Sequence, residues 1–202
     1  MIGKFPCILL FIAFLVLGCG KPSDNLADYS SVTVHFSGQE VADLQTLLHL
    51  FEEEIGIQSG ASVKAKSEAY TMFNKQLVDF MMLEGPKSFP LSIQARTKLL
   101  DALHIGTFRS IWVTGISTSR DTCDCKLISS LTTNSKFIDF LADMGKEFPQ
   151  LAELHTDLQR AGDMTPAYIS TVFLNFEQLN TQDPRTQLVY VISCLSWGMK
   201  WE

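Results

Sequence analysis

Cys123, Cys125 and Cys194 are the residues of the chain body whose type and spacing could do covalent chemistry. Cys123 and Cys125 are one residue apart and poorly placed to bridge each other without strain. In an oxidising compartment Cys194 is therefore expected to pair with one of them and leave a spare thiol. Such a bridge would close a loop of roughly 70 residues, worth roughly 4 kcal/mol in the chain-entropy picture. Two other readings stay open: three reduced thiols with Cys194 as a small core hydrophobe, or a soft-metal site, for which one C-x-C is a thin signal. Among the histidines, His155 lies with Leu151, Leu154 and Leu158 on an apolar helix face. A neutral imidazole hydrogen-bonded to a carbonyl is the plain reading there, and a catalytic base the sharper one. His49 has Glu52 and Glu53 at i+3 and i+4, a trio able to grip a metal but also an ordinary solvated acidic face. Asp101 and His104 share a helical edge, as a pH-sensitive pair or an incidental surface contact. No G-x-S-x-G, S-x-x-K, H-E-x-x-H or glycine-rich phosphate loop occurs. No cofactor or metal is expected.

The elements that must position these groups read as helices almost throughout. Ser37 and Glu40 have capping-box spacing ahead of a stripe of Val41, Leu44, Leu48, Phe51 and Ile55, closed by Gly56. A second stripe of Tyr70, Phe73, Leu77, Phe80 and Met81 follows a Ser67 cap and ends at Gly85-Pro86. A third runs from about Pro90 to His104, with Gly106 beyond it. Phe137, Phe140, Leu141, Met144 and Phe148 make a fourth, and Pro149 and Gly162 bracket a fifth. Thr165-Pro166 and Asp183-Pro184 each pair a capping oxygen with a proline of preset φ, opening two helices expected to form an antiparallel hairpin. Residues 32–36 (VTVHF) alternate like a strand, with 62–66 as the one candidate partner, so any N-terminal sheet is vestigial. Residues 107–116 are ambiguous between helix and strand, and 117–126 read as loop.

The last helix carries two apolar faces. Leu188, Val191, Ile192 and Leu195 form one; Tyr190, Cys194, Trp197 and Trp201 form the other, unless Gly198 ends the helix first. Burial in the middle of a bundle explains such a helix. The alternative makes Tyr190, Trp197 and Trp201 aromatic anchors of a partner-binding surface.

Residues 5–20 are uncharged between Lys4 and Lys21. As a helix they span about 24 Å against a hydrocarbon core of about 30 Å, short for a permanent crossing. A basic start, an apolar stretch from Ile8 to Leu17 and the small Gly18 give the three-part profile of an export signal. Val16-Leu17-Gly18-Cys19 resembles the lipobox of bacterial lipoproteins. The resemblance covers residues 1–20 and implies cleavage before Cys19 and acylation of its sulfur. Gly20, where that family carries Asp for inner-membrane retention, implies the outer membrane. Ordinary cleavage to a free protein, or retention as an anchor helix, are the other outcomes of such a segment.

The chain then divides into a signal peptide (1–18), a lipidated flexible tether (19–31) and a helical domain (32–202). The fold expected is all-α, a single bundle of about six to eight helices with at most a vestigial N-terminal β element. The formal charge of −6 and the lack of a basic cluster make nucleic acid an unlikely partner. The function expected is binding of a protein by a lipid-anchored, periplasm-facing domain, as an accessory or pilot factor of an envelope secretion or assembly system. An immunity protein against a periplasmic toxin is the alternative within binding proteins. An envelope hydrolase using His155 or His104 is the rival class.

Overall fold

The computed structural model of the protein describes residues 23–82, 88–118, 125–132 and 134–199, with backbone alone over 115–118 and 125–129. Among these residues it is mostly helical, with nine α-helices and one two-stranded antiparallel sheet. The helices are α1 (Ser30–Thr33), α2 (Gly38–Glu54), α3 (Val63–Met81), α4 (Ile93–Asp101), α5 (Ile105–Arg109), α6 (Lys136–Glu147), α7 (Pro149–Ala161), α8 (Pro166–Ile169) and α9 (Pro184–Gly198). Strands β1 (Trp112–Thr118) and β2 (Cys125–Leu131) lie between α5 and α6, in register from Trp112↔Leu131 to Thr118↔Cys125.

Local chemistry sets the helix starts. The Ser37 hydroxyl accepts from the Glu40 N–H at 3.4 Å, and the Glu40 carboxylate accepts from the Ser37 N–H at 2.7 Å, completing the capping box. Thr165 and Asp183 cap α8 and α9 ahead of Pro166 and Pro184, as their pairing predicts. Pro149 occupies the first turn of α7, and Gly162 ends that helix at φ 76°, a left-handed conformation that spares a side chain its steric cost. Helix α3 starts one turn earlier than its apolar stripe predicts, on Ser62 rather than Ser67.

Helix α9 is the axis of the core. All 15 of its residues are buried. The Tyr190 ring packs against Phe51, Tyr70, Phe173 and Phe176 at centroid distances of 6.3, 5.8, 5.7 and 5.0 Å. Trp197 meets Phe80, Phe89 and Phe173 at 5.9, 5.6 and 5.7 Å. Buried hydroxyls on α9 are used as well: Trp112 Nε1 donates to Ser196 at 2.7 Å, and Ser193 meets the Tyr168 hydroxyl at 2.6 Å. Helices α6 and α7 cross so closely that a Cβ at Gly145 would lie 2.7 Å from the Ala152 backbone.

Several expectations are corrected. Residues 32–36 form no strand: α1 and a turn occupy them, and 62–66 are the cap and first turn of α3. The reason is burial. Val32 and Phe36, four positions apart, are 0% and 2% exposed while Val34 between them is 68% exposed, which is not the burial of an alternating strand face. The sheet is central in the chain instead of N-terminal, and residues 107–116 resolve into both readings, α5 followed by β1. The flexible tether stops short of residue 31, because residues 23–31 pack on the domain. Leu26 N–H donates to Gln45 Oε1 at 2.8 Å, and the Tyr29 hydroxyl donates to the Ser23 carbonyl at 2.8 Å. The third stripe breaks at Ala102–His104 into α4 and α5, with Gly106 inside the latter, so the helix count exceeds eight. The helix opened by Pro166 lasts only to Ile169, continuing as a π turn (Ser170–Leu174) and a 3-10 turn (Phe176–Gln178). The segments 1–22, including Cys19, and Gly85-Pro86 lie outside the described residues.

Candidate binding groove

The aromatic stripe of the last helix does not face solvent. Tyr190 is fully buried and Trp197 is 7% exposed. Their surface role is overturned by the rings of α2, α3 and the π turn packed around them, and Trp201 lies outside the described residues. Cys194 is a free, fully buried thiol whose ionisation burial pushes far up, so the bridge expected from it to Cys123 or Cys125 is absent. Cys125 opens β2 opposite Thr118, and Cys123 lies outside the described residues.

The histidines separate as well. His155 is half-buried and makes no hydrogen bond among the described residues. His104 caps α5, its Nδ1 accepting from the Gly106 N–H at 3.3 Å, while Asp101 stays exposed. His49 reaches Gln45 at 3.0 Å and lies 3.8 Å from Glu52, but Glu52 is committed to Lys66 at 3.1 Å. Among the described residues no group of three or more His, Cys, Asp or Glu is placed to hold a metal.

The structure assembles a groove that no motif marks. One wall is the α3 stripe of Ser67, Thr71, Lys75 and Val78; the other is the chain from Phe173 to Gln182. Two hollows, of about 380 and 300 Å³, share Thr71, Phe176 and Glu177 and so run together. The floor is set by Asn74, which is 7% exposed. Its Nδ2 donates to the Phe173 carbonyl at 2.9 Å, and its Oδ1 accepts from the Tyr190 hydroxyl at 3.1 Å. One side chain thus ties α3, the π turn and α9 together. The π turn closes through the Asn175 N–H to the Ser170 carbonyl at 2.9 Å. It buries Val172 and Phe173 while leaving Leu174 49% exposed. Such turns concentrate at functional sites. Thr71, Asn175, Gln178, Asn180 and Gln182 are exposed along the groove, with Lys75 and Glu177 as its charged groups. Amides and hydroxyls both donate and accept, so this lining suits an uncharged polar chain such as a peptide backbone.

Sequence reasoning also missed three joints built on carboxylates. His35 Nε2 meets Asp143 Oδ2 at 2.7 Å, and Lys146 with His35 holds the Asp143 carboxyl below its ordinary value. Arg185, 8% exposed, pairs with Asp183 at 2.7 Å and Glu147 at 2.9 Å and lies over the Tyr29 ring at 4.7 Å. Asp43, 8% exposed, accepts from Thr107 at 2.5 Å, Gln39 at 2.8 Å and the His104 N–H at 3.1 Å. Burial pushes the Asp43 carboxyl up, but these hydrogen bonds outweigh it and leave the carboxyl below its ordinary value. Each joint spans elements far apart in the chain; the local spacings Gln39/Asp43, Asp143/Lys146 and Asp183/Arg185 mark one pair in each and not the joint itself. Set against known protein families, characterised proteins and solved structures, the chain matches none, and its functional reading rests on its own residues.

Proposed function

We propose that this is a lipid-anchored protein of the bacterial envelope whose helical domain binds a protein partner, in the manner of an accessory or pilot factor of a secretion or assembly machine. The anchor is argued from Cys19 and the lipobox-like residues before it. Partner binding is carried by one observation: the groove between α3 and residues 173–182, lined by neutral donors and acceptors beside the exposed Leu174. A site of this kind reads a polypeptide backbone without demanding charge, and leaves side-chain selection to the few apolar and charged groups at its edge.

The test is photo-crosslinking in intact cells from single reactive residues at Thr71 and Gln178, with Gln159 on the exposed side of α7 as the control. Thr71 and Gln178 are expected to yield the same discrete protein adduct and Gln159 none. Thr71→Arg, which fills the groove from an exposed position, should abolish the Gln178 adduct while the far-ultraviolet spectrum stays unchanged. Equal yields from all three positions would sink the groove as the binding site.

A further inference from the structure

We infer that the end of the domain carrying Ser23, Asp24 and the 55–62 loop is held against the bilayer surface. The inference rests on the lipid-anchor reading above and adds an orientation to it. Three residues separate Cys19 from Ser23. Four fully extended residue steps span at most about 14 Å, whatever path the chain takes. Ser23 cannot lengthen that reach without breaking native contacts. Its carbonyl accepts from the Tyr29 hydroxyl at 2.8 Å, its hydroxyl accepts from the Asn25 N–H at 3.1 Å, and Leu26 just beyond is fully buried.

Asp24 fixes which end of the domain this is. Lys66 Nζ lies 3.5 Å from its carboxylate and 3.1 Å from that of Glu52. The start of the domain is thereby seated where the last turn of α2 meets the first turns of α3. A cleft of about 360 Å³ opens there, lined by Asp24, His49, Glu52, Glu53, Gln58 and Lys66 among others. Three carboxylates face one ammonium in this cleft, and Asp28 accepts from Ser23 beside it. The binding groove opens at Ser67, the residue after Lys66. From there it runs about 17 Å along α3 to Val78, so its Ser67 end is the part of the groove next to the seated start of the domain.

The experiment uses the full lipidated chain in vesicles of phosphatidylethanolamine and phosphatidylcholine, with a photoreactive residue at Gln58 or at Met82. Met82 is 57% exposed at the far end of the 19-residue α3. Lipid adducts are expected from Gln58 and not from Met82. They should fall severalfold when a Gly/Ser segment of about 20 residues is inserted before Ser23. Equal labelling of the two positions, or Gln58 labelling that survives the insertion, overturns the orientation. So does absent Gln58 labelling in a protein that carries palmitate and floats with the vesicles, which leaves the anchor intact. A wild-type chain that takes up no palmitate and fractionates like Cys19→Ser overturns the anchor and the orientation with it.

Discussion

Helix α9 is buried along all 15 residues, whereas the 19-residue α3 buries Tyr70, Phe73, Asn74, Leu77 and Phe80 and leaves Thr71, Met72, Lys75 and Gln76 in solvent. Both helices carry aromatic stripes. On α9 the second stripe is enclosed by rings from α2, α3 and the π turn; on α3 the opposite face is polar and borders the groove. The difference teaches where function can reside. A helix buried on every side has no surface left with which to recognise anything, and its aromatics are committed to cohesion. A helix with one wet face can hold the core with one side and a partner with the other.

Mutation can break that contrast. Trp197→Ala removes a ring packed against three others and is expected to cost about 3–5 kcal/mol of unfolding free energy, read from the urea midpoint. Thr71→Ala on the exposed face of α3 should change it by less than about 0.5 kcal/mol. A Trp197→Ala protein of unaltered stability that had lost its partner would return the aromatic stripe to the binding surface. Asn74 sits between the two regimes. Asn74→Leu strands the buried Tyr190 hydroxyl and the Phe173 carbonyl, at about 1–3 kcal/mol for each group left unpaired. If this variant kept its stability, the π turn would not depend on α3 for its place.

What the sequence made legible follows the range of the interactions concerned. The caps at Ser37, Thr165 and Asp183 and the proline starts of α7, α8 and α9 are local, set by residues within four positions of one another, and they appear where their spacing places them. The packing of residues 23–36 is hidden because Leu26, Val32 and Phe36 are too few to show a period against the polar run around them. The groove is hidden for another reason: Asn74 and Phe173 stand 99 positions apart, and neither neighbourhood contains a pattern that announces the other. The two faces of α9 were visible in the sequence, but whether a greasy face is covered depends on what else the fold supplies. Here Phe51, Tyr70, Phe173 and Phe176 supply it.

Acid sharpens the contrast without any substitution. The phenols of Tyr70 and Tyr190 and the thiol of Cys194 are pushed up by burial, so the aromatic centre stays neutral across the acid range and contributes no pH dependence there. The carboxyls joining α2 to its neighbours behave in the opposite way. Asp43, bound by Thr107, Gln39 and the His104 N–H, and Glu40, bound by Lys136 and Ser37, are both held below their ordinary values of 3.8 and 4.5 in spite of burial. Groups whose folded-state values are depressed bind protons more readily when unfolded, so their contribution is complete above the unfolded values and is lost as pH falls through the folded ones. Stability should therefore be level from pH 7 to about 5 and decline below about pH 4, each full unit of depression being worth about 1.4 kcal/mol. Asp43→Asn should lower the urea midpoint at pH 7 and flatten the acid decline, so that the gap between variant and wild type narrows as the pH falls below the ordinary value of 3.8. A decline of unchanged steepness in Asp43→Asn would move the acid sensitivity away from the α2–α5 joint and onto the remaining carboxylates.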